Sequence, residues 1–214
     1  MSPFEVTWPQ QQVEPHFQPA RALRCFTQRP HSLHALLENA VNTHPQGTAL
    51  VCNDLRLSYS QLHHRVGQLA AGWQTLGIKP GDRIALLLGN RIEFVLCLLA
   101  ASRLGAITVP ISIREQTPGL LYMLDHCAAV MLVHESSLTD ILPSTEELVG
   151  LRWRICIGDS SDSLSFDNLL SDHPLMTACH VNEEDTAVIL YTSGTTGRPK
   201  GAMLSHLGIV HSWS

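Results

Sequence analysis

The stretch YTSGTTGRPKG, residues 191 to 201, concentrates residue types that suit contact with an anion. Its glycines allow the backbone to turn several N–H groups toward one point, and such a run of N–H groups forms an anion-binding concavity. Threonine and serine hydroxyls add hydrogen-bond donors, and Lys200 adds a mobile positive charge. The apolar run AVILY, residues 187 to 191, precedes the loop as a predicted strand. The stretch therefore predicts a phosphate-binding loop that follows a buried strand.

The spacing within this loop excludes two common phosphate-binding motifs. P-loop NTPases require G-x-x-x-x-G-K-[ST], whereas here Pro199 stands five residues after Gly194 and Gly201 follows Lys200. The loop does not match G-x-G-x-x-G either. The segment MLSHLGIVHSW, which follows Gly201, predicts a helix. We therefore expect a strand, a glycine loop and a helix in succession, an order that favours phosphate binding.

Composition favours a globular protein and argues against a nucleic-acid partner. The chain has 214 residues, of which 44% are hydrophobic and 15% are charged, so we expect a packed core. The net charge is −5 and no cluster of Lys and Arg occurs, whereas proteins that bind phosphate backbones usually present a basic face. No apolar run approaches the ~20 residues that a bilayer span needs, and residues 1–30 lack the apolar core of a signal peptide.

The cysteines and histidines give no clear metal motif. None of the six cysteines forms a C-x-x-C pair, and most stand in apolar stretches, which predicts reduced, buried thiols and a cytoplasmic protein. A zinc site is the alternative, but the close ligand spacing of such sites is missing. The twelve histidines are scattered without an H-E-x-x-H motif, and we interpret the adjacent His63 and His64 as surface residues.

Strand and helix patterns alternate from about residue 48 to residue 133, with no hairpin signal between the strands. This alternation predicts βαβ units, and hence an α/β fold with a mainly parallel sheet that carries helices on its faces. Residues 1–30 predict an irregular arm. The predicted helices cover 31–43, 58–76 (with a Ser58–Gln61 capping box), 90–105 and a segment that starts at Thr117–Pro118; the predicted strands cover 48–52, 83–88, 106–110, 129–133 and 154–157.

The loop and its flanks, YTSGTTGRPKGAMLSH, resemble the phosphate-binding signature of the adenylate-forming superfamily. That superfamily holds acyl-CoA synthetases, luciferases and the adenylation domains of peptide synthetases. Residues 57–111 also resemble the opening of the same large domain, so the likeness covers roughly residues 30 to 214. The resemblance implies that residues 31–214 form an incomplete N-terminal AMP-binding domain, without the small C-terminal lid, and that residues 1–30 form a separate arm.

The resemblance also implies a two-step reaction. A carboxylate attacks the α-phosphate of ATP and gives an acyl-adenylate and pyrophosphate; a thiol, usually that of coenzyme A, then takes the acyl group. Lys200 would neutralise the departing pyrophosphate, and Thr192 matches a position that can help to bind Mg²⁺. The residues that would contact the β- and γ-phosphates through N–H groups and hydroxyls are Ser193, Gly194, Thr195, Thr196 and Gly197.

Three neighbours of the loop receive other roles under the same resemblance. We interpret Arg198 as a solvated loop residue and expect Tyr191 to pack at the end of its strand. His206 stands at a matching position just past the loop, where both a direct contact and a supporting role remain open.

In this superfamily the adenine pocket, the acidic magnesium ligand and the catalytic lysine of the lid come from later segments. The resemblance therefore implies an N-terminal fragment that ends after the phosphate loop, and we expect these 214 residues to be inactive by themselves. A sheet that ended here would expose an edge and an apolar face, which would favour a partner that covers them.

Two other interpretations stay open. A truncated, non-catalytic remnant, or a nucleotide- or protein-binding module, would show no turnover. A fragment of a peptide-synthetase adenylation domain would pass its acyl group to a carrier protein instead of coenzyme A. We favour a CoA ligase for a fatty or aryl acid, because nothing in the chain suggests a carrier or condensation domain.

Overall fold

The computed structural model describes residues 13–18, 21–26, 28–192 and 198–212. The expected phosphate contacts from Ser193 to Gly197 lie outside the described residues. Within the described ranges, no helix is long and apolar enough to cross a membrane.

Helices and strands alternate through most of the described chain. The helices are α1 (Leu33–Thr43), α2 (Tyr59–Thr75), α3 (Ile92–Arg103), α4 (Thr117–His126) and α5 (His206–His211). The strands are β1 (Val13–Gln18), β2 (Arg21–Phe26), β3 (Thr48–Cys52), β4 (Leu55–Ser58), β5 (Arg83–Leu87), β6 (Ile107–Pro110), β7 (Ala129–Glu135), β8 (Trp153–Ile157), β9 (Leu164–Ser165), β10 (Thr186–Thr192) and β11 (Lys200–Ser205).

Seven of these strands form one sheet in the order β11-β10-β6-β5-β7-β8-β9. Neighbouring strands run parallel except β10 and β11, which are antiparallel, so the predicted α/β fold with a mainly parallel sheet is confirmed. In β5, Ile84 and Leu86 pack with α2 and α3, whereas Ala85 and Leu87 pack with α4. The central strands are therefore buried on both faces, as parallel sheets usually are.

Helix α2 forms as its sequence predicts. The Ser58 hydroxyl accepts the N–H of Gln61 at 3.2 Å, and the Gln61 side chain accepts the N–H of Ser58 at 2.8 Å, which completes the capping box. Gly77 follows with a φ of 77°, a left-handed conformation that glycine adopts without strain. The helix buries a stripe toward the sheet that contains Leu62, Val66, Leu69 and Trp73.

Two hairpins stand outside the predicted pattern. Strands β3 and β4 pair antiparallel in a separate sheet, although the sequence pattern predicts no hairpin there. The connection uses Asn53, whose φ is 51°, a left-handed conformation that Asn tolerates better than most residues. The turn reads Asn-Asp rather than Asn-Gly, which explains the missing hairpin signal. Strands β1 and β2 form a second hairpin inside the predicted irregular arm; the boundary at residue 30 stays a prediction.

The segment after the glycine loop differs from its prediction. It begins as strand β11 and becomes helical only at His206, because its first six residues pair with β10. The Ser205 hydroxyl accepts the N–H of Gly208 at 3.2 Å and so caps α5 at that point. The loop therefore joins two antiparallel strands, and the expected strand-to-helix connection is wrong.

Candidate functional site

The two expected site residues that the structure describes face each other across a hairpin. Thr192 ends β10 and Lys200 begins β11, and the strand register pairs them directly. Both side chains are exposed. Paired residues on neighbouring strands point to the same face, with Cβ atoms about 4.5–5.5 Å apart. This pair, which we call the loop base, therefore presents a hydroxyl and an ammonium group side by side at the two ends of the glycine loop.

The sheet determines where the loop base lies. Strand β10 joins the parallel part of the sheet through Val188, which pairs with Thr108 of β6. Thr192 consequently stands at the carboxyl end of a parallel strand, the edge at which open α/β sheets bind their ligands. A hydroxyl and a cation at this edge suit an anionic ligand.

The sequence predicts that Tyr191, just before the loop base, packs at the end of its strand, and the structure places the Tyr191 side chain against α4. Its hydroxyl lies 2.8 Å from Nδ1 of His126 and donates to the carbonyl of Met123 at 3.3 Å. Burial, together with the neighbouring Cys127 and Tyr122, raises the pKa of Tyr191 to about 12. The phenol therefore stays neutral and keeps its donor at physiological pH.

Helix α4 also contacts the far end of the loop. The Tyr122 hydroxyl donates to the carbonyl of Pro199 at 3.1 Å, and the guanidinium carbon of Arg198 lies 5.6 Å from the Tyr122 ring centroid. That separation lies within the range of a cation–π contact. Arg198 is exposed, but it is not simply solvated as the sequence suggested. The Tyr122 ring stacks on His126 with centroids 5.2 Å apart. We call Tyr122 and His126 the α4 clamp.

His206 lies away from the loop base. It follows the last residue of the six-residue strand β11, a strand that spans about 20 Å, and Lys200 stands at the other end. His206 is buried, its Nδ1 accepts the N–H of Leu33 at 3.3 Å, and burial lowers its pKa. This histidine supports the start of α1, which favours the supporting role among the two that the sequence left open.

Residues of α1, α2 and α3 form a partly buried polar cluster that the sequence did not predict. His34, Glu38 and His63 place potential ligand atoms within 4.8 Å of one another. Arg103 is fully buried beside them and donates through Nε to Nδ1 of His34 at 3.4 Å. His63 is half-buried rather than a surface residue. The i, i+4 spacing of His34 and Glu38 on a predicted helix was the available sequence signal.

The hydrogen bonds of this cluster argue against a metal. Because Arg103 donates to Nδ1 of His34, the proton of the neutral ring lies on Nε2, which donates to Glu38 at 3.1 Å. A metal on Nε2 would require the proton on Nδ1, facing the Arg103 donor, and the guanidinium charge would repel a cation. Burial, Arg103 and His63 lower the pKa of His34 to about 3. His34 thus links the buried arginine to Glu38 as a neutral ring.

Comparisons with known proteins show which enzymes the chain resembles. The chain is 31% identical over 190 residues to the crotonobetaine/carnitine–CoA ligase of Escherichia coli strain E2348/69, covering 83% of the chain and 37% of the relative. It is 31% identical over 180 residues to a linear gramicidin synthase of Brevibacillus parabrevis, covering 84% of the chain and 2% of that protein.

The fold also matches that of a solved enzyme. An anthranilate CoA ligase, solved in complex with anthranoyl-AMP, superposes with a TM-score of 0.76 at 26% identity, over 82% of this chain and 35% of the ligase. The chain thus spans little more than a third of each of the two CoA ligases. The family model for AMP-binding enzymes matches residues 37–214, which include the loop base and the α4 clamp. The chain therefore belongs to the AMP-binding enzyme family.

Proposed function

We propose that the protein activates a carboxylic acid with ATP and passes the acyl group to coenzyme A. The observation that carries the proposal is the loop base, which presents Thr192 and Lys200 at the two ends of a Ser/Gly/Thr loop in a member of the AMP-binding enzyme family. Relatives named as CoA ligases support the reaction class. Because those relatives are much longer, we propose that these 214 residues contribute the phosphate-binding part of the reaction.

The chemistry requires two anions to approach each other. A carboxylate must attack the α-phosphate of ATP while the β- and γ-phosphates leave as pyrophosphate, so the protein has to orient both and offset their repulsion. We propose that Lys200 neutralises the β- and γ-phosphates, and that the loop from Ser193 to Gly197 donates N–H groups and hydroxyls to them. Each charge-assisted hydrogen bond of this kind contributes about 1.5–3 kcal/mol.

The loop base also fits a magnesium ion that accompanies ATP. Mg²⁺ prefers oxygen ligands, keeps several waters and takes phosphate oxygens together with few protein groups. The exposed Thr192 hydroxyl can supply one such oxygen beside the phosphates. When bound, the ion would help to neutralise charge on the phosphates. Coenzyme A enters the proposal as the acceptor named for the ligase relatives.

A fatty or aryl acid is the proposed substrate class. The alternative is an adenylation domain that loads a carrier protein, and the 31% identity to the linear gramicidin synthase is the observation that favours it. Should acid-dependent pyrophosphate release be found, a thioester assay separates the two, because only the first interpretation predicts acyl-CoA when CoA is the only thiol present. We also propose a cytoplasmic location, which the six free thiols support.

The experiment separates binding from turnover on the same 214-residue chain. MgATP is titrated calorimetrically, and pyrophosphate release is then followed with short, long and aromatic acids. We expect MgATP binding, and no release from these residues alone. Release that depends on an acid would overturn the expectation of inactivity and identify the substrate class. A folded chain that binds no MgATP would overturn the proposed function and favour a non-catalytic remnant.

A further inference from the structure

We propose that Tyr122 is a positioning residue for the phosphate loop, and that His126 supports it from the next turn of the same helix. The inference rests on the proposed function and deepens it, because it assigns the placement of the loop base to α4. Neither residue belongs to the glycine motif, and both are far from it along the chain. Tyr122 contacts Pro199 and His126 contacts Tyr191, because α4 packs beside the β10–β11 hairpin.

The α4 clamp contacts both ends of the loop. On the entry side, His126 Nδ1 lies 2.8 Å from the hydroxyl of Tyr191, the residue before Thr192. On the exit side, the Tyr122 hydroxyl donates to Pro199, the residue before Lys200. Tyr122 and His126 are four residues apart on α4, so they share one helix face and stack on each other. One helix face therefore holds the Tyr191 side chain next to Thr192 and the Pro199 carbonyl next to Lys200.

The contact with Pro199 restricts the backbone next to Lys200. Proline has no backbone N–H, so its carbonyl is its one backbone hydrogen-bonding group, and that group accepts from Tyr122. The same tyrosine ring lies under the guanidinium of Arg198. Two successive residues before Lys200 are thus attached to one side chain, which limits where the lysine ammonium group can reach.

Two substitutions separate positioning from packing. Tyr122→Phe removes the hydroxyl and keeps the ring that stacks on His126 and lies under Arg198. Tyr122→Leu removes the hydroxyl and both ring contacts. Tyr59→Phe is the matched control, because Tyr59 is also a half-buried tyrosine on a helix but packs in the core on the α2 side.

The experiment measures inorganic pyrophosphate binding with magnesium and amide hydrogen exchange on the full 214-residue chain. For Tyr122→Phe we expect about three- to tenfold weaker pyrophosphate binding, faster exchange at residues 200–202 and an unchanged melting temperature. Tyr122→Leu should weaken binding further, and Tyr59→Phe should match the unsubstituted chain.

The outcomes distinguish the inference from the proposed function. If the unsubstituted chain binds pyrophosphate and both Tyr122 variants bind equally well, the inference is overturned and the proposed function stands. Faster exchange with unchanged binding assigns Tyr122 a packing role and also overturns the inference. If the unsubstituted chain binds no pyrophosphate, the phosphate role of the loop fails, and the inference fails with it.

Discussion

The centre of the sheet and the β10–β11 hairpin belong to one sheet but differ in how they are buried. In β5, the residues from Ile84 to Leu87 are all 0% exposed, with helices on both sides. In the hairpin, Leu190 is 39% exposed and Met203 is 69% exposed. Among the described strands, β11 lies at one edge of this sheet and pairs with β10 alone, as β9 at the other edge pairs with β8.

The two regions of the sheet therefore have different tasks. The buried centre contributes stability, whereas the hairpin carries the loop base. Regions with few buried apolar contacts open at low free-energy cost, and binding loops are commonly drawn from them. The sheet centre fixes the direction of β10, whereas the hairpin and its loop rely on a small number of side-chain contacts such as those of the α4 clamp. We therefore expect the hairpin to open at a lower free-energy cost than the centre of the sheet.

The largest expected effect comes from shortening matched leucines in the two regions. Leu86→Ala should lower the free energy of unfolding by about 2–5 kcal/mol, because it leaves a cavity in the fully buried centre. Leu190→Ala removes the same atoms from a 39% exposed position and should cost less than about 1 kcal/mol. Urea unfolding measures both values. Equal losses would contradict the contrast between centre and hairpin.

Acid should lower the free energy of unfolding through His34. Its pKa falls from the ordinary 6.5 to about 3 in the fold, so between these values the unfolded chain binds more protons and stability falls as the pH drops. From pH 7 to pH 5, His34 should remove about 2 kcal/mol of unfolding free energy.

His34→Gln provides the control for this pH effect. Between pH 7 and pH 5, the unfolding free energy of the variant should fall by about 2 kcal/mol less than that of the unsubstituted chain. Urea unfolding at the two pH values measures this difference. Among the described residues, His63, His134 and His206 would contribute to the remaining slope, because burial also lowers their pKa values. An unchanged slope in His34→Gln would show that His34 is not the titrating group.

The smallest expected effect lies next to the hairpin. Gly208→Ala should stabilise the protein by up to about 1 kcal/mol, since an added Cβ meets only Ser205 Oγ at an ordinary 3.5 Å and alanine favours α5. Gly77→Ala is the matched control and should destabilise, because Gly77 has a φ of 77°. Thermal melts of both variants would test this, and a lower melting temperature for Gly208→Ala would contradict it.

Patterns among residues close in sequence predicted most of the helices and strands of the parallel sheet. The Ser58–Gln61 capping box correctly marked the start of α2, because caps depend on residues close in sequence. Tertiary pairing decided what the sequence could not show. Lys200 to Ser205 became a strand because β10 offered hydrogen bonds along its edge, which overrode the helical pattern.

The candidate site was predicted in part. Thr192 and Lys200 were identified from the motif, but their pairing across two strands depends on the hairpin. Tyr122 and His126 stand about 70 residues before the loop, and no local pattern links them to it. His206 was adjacent in sequence yet lies at the other end of β11, because an extended strand carries the chain away from the loop.

The most direct test of the central claim is a calorimetric titration of MgATP into the chain and its Lys200→Ala variant. If the loop base binds phosphate, the unsubstituted chain should bind MgATP and the variant should bind about 10- to 150-fold more weakly. Lys79→Ala, which removes an exposed lysine in a remote turn, should leave the affinity unchanged. Equal affinities for Lys200→Ala and the unsubstituted chain would contradict the role assigned to Lys200 and to the loop base.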